Sequence, residues 1–434
     1  MEIRPFNGLR YRVSGGDVSA YIAPPYDILS QADKDRLLAQ DPANIVAADL
    51  PQVPPSQAGA DELYARSARL LEGWRQRGLL ARDSEPSLYV YEQEFAWAGK
   101  DYRRRTLIAL VRLAAFGQGV WPHEKTFPGP KADRLKLTQF CQAQLSPIFG
   151  FYEPEAPVTQ IVNDVAGRPA DQNGRLGGVG ERLWVISQPD LIARIQQALV
   201  RRDLFIADGH HRYTTALNYR DSLGQISPEH PANFCMFVLA AMDDPGLIIL
   251  PTHRIISGLK GFSLPALVAQ TAPAMDWRQV EGPLLGPACA GRRSNWQDAD
   301  ALLKPFGPRA FGFVGKDGTA QVGRVRDAAA AMDKLAPDQP PAWRELDVSV
   351  LHKLVIEQQL KPWWTDQASI AYAAQTSAAL APVEGGAADL AVFLQATPLE
   401  AVCRIARAGS VMPHKSTYFY PKPATGMVMY AFGG

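Results

Sequence analysis

The sequence predicts a mixed α/β fold of the α+β kind, built around a mixed sheet. Three observations predict it. Residues 183–256 alternate between short apolar runs and an amphipathic helical pattern, the signature of strands and helices sharing one core. Residues 87–95 and 102–113 are both β-rich and are joined by Ala98-Gly99-Lys100-Asp101, which reads as a hairpin. The composition, 47% apolar and 21% charged over 434 residues, is that of an ordinary globular chain able to bury a large core.

Taken in order, residues 18–22 read as a strand that runs into the turn Ala23-Pro24-Pro25-Tyr26-Asp27. Residues 56–79 carry Ala60, Leu63, Leu70, Leu71 and Trp74 on one helical face. After the hairpin comes a loop broken by proline and glycine, 120–130, then a helix with Leu135 and Leu137. Residues 146–152 read as a short buried strand, and 155–180 as a polar surface excursion. Strands are expected at 183–186, 204–207, 233–242 and 247–256, with helices at 189–200 and 211–223. Beyond these, 310–325 reads as a hairpin around Lys316-Asp317-Gly318, and 346–358 as a helix. Strands at 370–373 and 390–394, a helix at 399–408 and a last strand at 426–432 complete the reading. The expected division is 1–256, a mixed-sheet region carrying the site, and 257–434, an α+β region that returns to the core through 412–432.

Composition also excludes classes of function. With 45 basic and 44 acidic residues the net charge is +1, so the basic excess of a nucleic-acid binder is missing. No apolar run is long enough to span a membrane, so no membrane partner is expected. Met1 to Phe6 shows no charged-then-apolar leader. Cys141, Cys235, Cys289 and Cys403 are far apart and form no CxxC pair, which argues against a thiolate zinc site. These features lead to the expectation of a cytoplasmic protein without disulfides. They leave a homo-oligomer open.

The chemistry is expected at Ala207-Asp208-Gly209-His210-His211-Arg212. An apolar strand enters Asp-Gly and leaves as a helix. Gly209 permits a positive φ and a close backbone approach to a ligand. The first helical turn offers free N–H groups at the positive end of the dipole. Arg212 adds a fork suited to phosphate oxygens, and His210 and His211 add donors or bases. Asp208 is the candidate ligand for a cation. Two other readings stay open: a structural strand-turn-helix capped by Asp208, and a metal site drawing on Asp208, His210 and His211 with His123 or His253.

Two further clusters support a phosphate site. His123-Glu124-Lys125-Thr126 lies among prolines and glycines and is followed by Lys131, Asp133, Arg134 and Lys136. Phosphoryl transfer needs cations on the moving group and a carboxylate that orients or deprotonates the acceptor. Glu124 is the candidate base; Lys125, Lys131 and Arg134 are candidate phosphate contacts. Met412-Pro413-His414-Lys415-Ser416-Thr417 is the second cluster, with Lys415, Ser416 and Thr417 as further phosphate contacts. The alternative for these is a solvated helix face and a loop entering a sheet. Neither GxxxxGK[ST] nor GxGxxG occurs, so the common nucleotide folds do not apply.

The strings APPYDILS, HEKTFPGPKADR, ADGHHRYTTAL, ILPTHR, LDVSVLH and MPHKSTYFYPK, spread from position 23 to 422, resemble the family catalogued as Domain of Unknown Function 1015. The turn itself is similar to that of the ParB/sulfiredoxin superfamily, whose members place nucleotide phosphates on this helix start. Among its branches the free-serine kinases resemble it most: Asp208, Gly209, His210 and Arg212 match their Asp-Gly-His-Thr-Arg, and His211 departs at the threonine. Where sulfiredoxin has cysteine this chain has His210, so sulfur chemistry is not implied. The resemblance implies a nucleotide-dependent small-molecule kinase with ATP or ADP and Mg²⁺, Mg²⁺ being held with help from Asp208. Glu124, Asp208 and His210 would be catalytic, and the acceptor would be serine or another hydroxyl compound. A metal-dependent phosphoesterase and a non-catalytic nucleotide sensor are the alternatives.

Overall fold

The computed structural model describes residues 1–280 and 298–433, so Cys289 lies outside the described residues. The chain divides into two compact units, Met1–Ile248 with Pro421–Gly434, and Ile249–Tyr420. The division falls at 248/249 rather than at 256/257, and the chain returns to the first unit only at Pro421.

The first unit is built on a nine-stranded mixed sheet. Its strands are β1 (Ile3–Arg4), β2 (Leu88–Trp97), β3 (Lys100–Arg112), β4 (Val120–Trp121), β5 (Ile148–Tyr152), β6 (Gln172–Leu176), β7 (Val179–Ile186), β8 (Leu204–Asp208) and β9 (Phe234–Ala241). The order is β4-β8-β5-β9-β3-β2-β7-β6, with β1 beside β3. The pairs β4/β8 and β5/β9 are parallel and the other pairs antiparallel. The β2–β3 hairpin turns on Ala98 and Gly99, with φ of 48° and 75°. Positive φ at both central residues gives the twist that matches paired strands. Every residue of β9 is buried, which is why its sequence is an unbroken apolar run and not an alternating one.

The longer helices of this unit include α1 (Asp61–Gln76), α2 (Pro128–Cys141), α3 (Ala156–Ala166), α4 (Pro189–Leu199) and α5 (His210–Ser222), of which α3, α4 and α5 bury residues in the core of the sheet. The expected surface excursion at 155–180 is instead α3 followed by the β6–β7 hairpin. Val158, Ile161, Val162 and Val165 lie three and four residues apart and bury one face of α3 in the core. Residues 18–22 form no strand; the backbone touches β6 once, through Val18 N–H to the Asn173 carbonyl at 2.8 Å.

The second unit holds a six-stranded antiparallel sheet. Its strands are β10 (His253–Ser257), β11 (Met275–Gln279), β12 (Ala310–Gly315), β13 (Ala320–Val325), β14 (Ser369–Ala373) and β15 (Leu390–Phe393), in the order β11-β13-β12-β15-β10-β14. The strand expected over 247–256 is broken into Ile248–Leu250 and β10. Pro251 lies in the gap and has no N–H to give to a ladder. The last expected strand shrinks to Tyr430–Ala431, which pairs with Ala143–Gln144. No helix among the described residues is long and apolar enough to cross a membrane.

Candidate functional site

Strand β8 ends at Asp208, and its pairing with β5 shifts register between Ile206 and Asp208. Gly209 then takes φ 96°, ψ 27° and opens α5. A β-carbon there would come within 2.9 Å of Arg212 Nε, so both the backbone angle and the space call for glycine. The helix is fixed from behind by Tyr213, whose hydroxyl accepts from Ala114 N–H (3.0 Å) and donates to the Ala114 carbonyl (2.8 Å). The first helical turn cannot satisfy its own amides. No protein acceptor pairs with the amides of Gly209, His210, His211 or Arg212 among the described residues.

The loop 123–127 docks on this turn through the two histidines. His123 N–H donates to His210 Nε2 (3.2 Å), and Phe127 N–H donates to His211 Nε2 (2.9 Å). Both Nε2 atoms are therefore unprotonated, and the neutral rings carry their proton on Nδ1. For His210 that places Nδ1 toward Glu124 Oε2, 3.8 Å away. The rings of His123 and His210 meet edge to face at 4.7 Å. Burial lowers the pKa of all three histidines, His123 to about 4. At His211, Asp27 opposes that shift and Lys131 adds to it, which places both charges near the turn. Glu124 is partly exposed and Lys125 is exposed.

The structure brings Glu124, Lys131, His210 and His211 to the turn and assigns other work to several expected residues. Arg212 does not present an open fork. Its guanidinium turns inward, donating to Asp208 Oδ2 (2.5 Å) and to the Pro147 carbonyl. Asp208 does not offer a free carboxylate to a metal: Oδ2 holds Arg212 and Oδ1 holds Lys422. Burial pushes the Asp208 pKa up, but Lys422 and Arg212 outweigh it and keep the carboxylate ionised. Asp208 and Arg212 thus position the turn. Arg134 is buried and locked between Asp133 (2.6 Å) and Asp49 (3.4 Å), beneath the ring of Tyr26. Its place in α2 faces the core, so it is not available to phosphate. Lys415, Ser416 and Thr417 belong to the second unit. There the Lys415 carbonyl accepts from Arg254 and the Ser416 hydroxyl donates to the Pro413 carbonyl.

Lys422 is the residue that sequence reasoning missed. The tail that carries it is fastened by Arg104, which donates to the Pro421 carbonyl, by Gln93 Nε2 to the Lys422 carbonyl (3.2 Å), and by Ala424 N–H to the Tyr91 hydroxyl (3.0 Å). The only sequence signal was its place in the MPHKSTYFYPK string. Among the described residues no group of three His, Cys, Asp or Glu side chains is arranged to hold a metal.

The first unit is therefore a mixed α/β domain with an amide-lined helix start at the end of an inner strand. The chain belongs to the family described as "Protein of unknown function (DUF1015)", which matches residues 3–349. No curated protein matches it. Among solved structures it is similar to a conserved hypothetical protein from Pyrococcus furiosus (13% identity, 72% of this chain and 89% of that one, TM-score 0.33). It is also similar to a free serine kinase in complex with AMP (12%, 74% and 92%, 0.34) and to SbnI from Staphylococcus aureus (10%, 75% and 87%, 0.33).

Proposed function

We propose that the protein is a nucleotide-dependent phosphotransferase acting on a small hydroxyl compound, serine being one member of that class. The observation that carries this reading is the set of four unpaired amides at Gly209–Arg212 beside a docked loop bearing Glu124 and Lys125. Amides at a helix start hold phosphate through direct hydrogen bonds and the helix dipole. Fixed donors of this kind also stabilise charge that develops during transfer. The terminal phosphates of ATP or ADP lie against these amides. The acceptor hydroxyl oxygen attacks the terminal phosphorus, the bond to the bridging oxygen breaks, and the shortened nucleotide leaves. The hydroxyl proton passes to Glu124. His210, neutral and protonated on Nδ1, steadies the Glu124 carboxylate. Asp208 does not fit a Mg²⁺ ion while it holds Arg212 and Lys422, so no step passes through metal at that residue. The setting is cytoplasmic small-molecule metabolism, without nucleic acid.

The metal-dependent phosphoesterase is less favoured, because Nε2 of both turn histidines already accepts from backbone amides. The test combines a thermal shift with turnover. ATP or ADP raises the melting temperature of the wild type, since a ligand that binds only the folded state stabilises it. Gly209→Ala loses that shift. Glu124→Gln keeps the shift and loses phosphoryl transfer; a wild type that binds nucleotide yet transfers nothing to any hydroxyl compound is a sensor. Absence of a shift with either nucleotide overturns the reading.

A further inference from the structure

Beneath α5, on the side away from the docked loop, lies a cavity of about 50 Å³. By this measure one water needs roughly 10–15 Å³, so the space suits about three to five non-hydrogen atoms. Arg212, Thr215, Ala216 and Tyr219 line it along one face of the helix, at the three- and four-residue spacing of a single stripe. Asp49, Arg134 and Ser146 close the opposite side. The groups are not all satisfied. Thr215 Oγ1 and Arg212 Nε are both buried with no hydrogen-bond partner. Thr215 is 3% exposed. An unpaired buried donor is costly, and two such atoms on residues that line one cavity mark a place where an acceptor is missing.

The chemistry of that acceptor follows from the lining. Arg212 Nε can only donate, and the Thr215 hydroxyl can donate or accept. Two arginines, Arg134 and Arg212, are among the lining residues. The one carboxylate, Asp49, is already engaged by Ser146 Oγ (2.8 Å) and Arg134. A carboxylate bearing a hydroxyl, with few carbons, answers each of these. Leu145 and Ile148 in the lining leave room for its carbon skeleton. We propose that this cavity binds a small hydroxy acid, its carboxylate at Arg212 Nε and Thr215 Oγ1. The binding does not rest on the transferase reading above, and because the cavity lies away from Glu124 the molecule in it is not named as the phosphoryl acceptor. Arg212 belongs to both places, since its backbone amide lies in the phosphate turn and its side chain lines the cavity.

The experiment measures thermal shifts of the full chain with glycolate, acetate and ethanolamine, each with and without ADP. Glycolate raises the melting temperature, acetate does so more weakly, and ethanolamine, which lacks the carboxylate, does not. Thr215→Val keeps the shape, removes the hydroxyl and weakens glycolate about tenfold, the loss of one hydrogen bond. Ala216→Leu fills the cavity and removes the glycolate shift while the ADP shift remains. If ADP shifts the protein and none of the three probes does, the cavity holds water only and the proposal fails while the transferase reading stands. Ethanolamine acting as well as glycolate, or a glycolate shift undiminished in Thr215→Val and in a folded Ala216→Leu, overturns it too. Shifts with glycolate but none with ADP leave the cavity proposal in place and sink the nucleotide.

Discussion

Arg134 in the first unit and Arg254 in the second are both buried, yet their surroundings differ in kind. Arg134 is held by two carboxylates, Asp133 and Asp49, and its partners are themselves tied down: Tyr64 and Gln52 donate to Asp133, and Ser146 to Asp49. Arg254 has no carboxylate among the described residues. It donates to His352 Nε2 (3.2 Å) and to the carbonyls of Thr252 and Lys415, and faces the ring of Tyr372. Burial lowers the pKa of both. At Arg134 the two carboxylates reverse the shift, whereas Arg254 is left at about 10. Arg134 is fixed by opposite charges, whereas Arg254 is a cation that gathers neutral acceptors from separate loops.

The largest expected effect tests that contrast. Arg134→Met strands two buried carboxylates and costs about 3–5 kcal/mol. Arg254→Met leaves only carbonyls and a neutral imidazole unsatisfied and costs about 1–3 kcal/mol. Hydrogen exchange read on peptides from each unit separates the two losses; equal costs would erase the distinction. Acid is the next lever and acts on both units. His123 has its pKa lowered by burial to about 4, and His253 and His352 to about 3. The unfolded chain, with histidine near 6.5, binds more protons than the folded one between those values. Stability is therefore complete above about pH 6.5 and falls as pH drops toward about 4. In the first unit the loss is focused: a protonated His210 or His211 cannot accept from the loop amides. Amide exchange at residues 123–127 should rise below pH 6 ahead of the sheet; exchange unchanged down to pH 4.5 would show that the histidines do not hold the loop. The smallest effect is Tyr213→Phe, which removes both hydrogen bonds to Ala114 and costs about 1–2 kcal/mol in urea unfolding. A neutral result there would mean α5 is held by packing alone.

What could be read beforehand follows the range of the forces involved. The turn at Gly209 was legible because strand, glycine and helix are adjacent in sequence, and the hairpin for the same reason. The loop's approach to the turn was expected from residue types alone, without its means, two histidines accepting backbone N–H bonds. Arg134 reads in the sequence as a phosphate contact, with a solvated helix face as the alternative, since charge pairs at short spacing are common there. Only the packing of α2 shows that this charge points inward. Lys422 stands 214 residues from Asp208, and no local pattern announces such a pair. The helix Ala156–Ala166 is a different kind of miss: its apolar spacing was present, but polar neighbours and flanking glycines masked it.

The return of the chain to the first unit at Pro421 has a consequence for the order in which the protein is made. The second unit, Ile249–Tyr420, is synthesised between β9 and the tail that carries Lys422. At roughly 5–20 residues per second those 172 residues (420 − 249 + 1) occupy the ribosome for about 10–30 s. During that time the sheet, the Gly209 turn and the docked loop can all form, but Asp208 has only Arg212. The last cation reaches the turn only after the second unit has been made. A chain cut short before Lys422 would lack the charge that finishes the site.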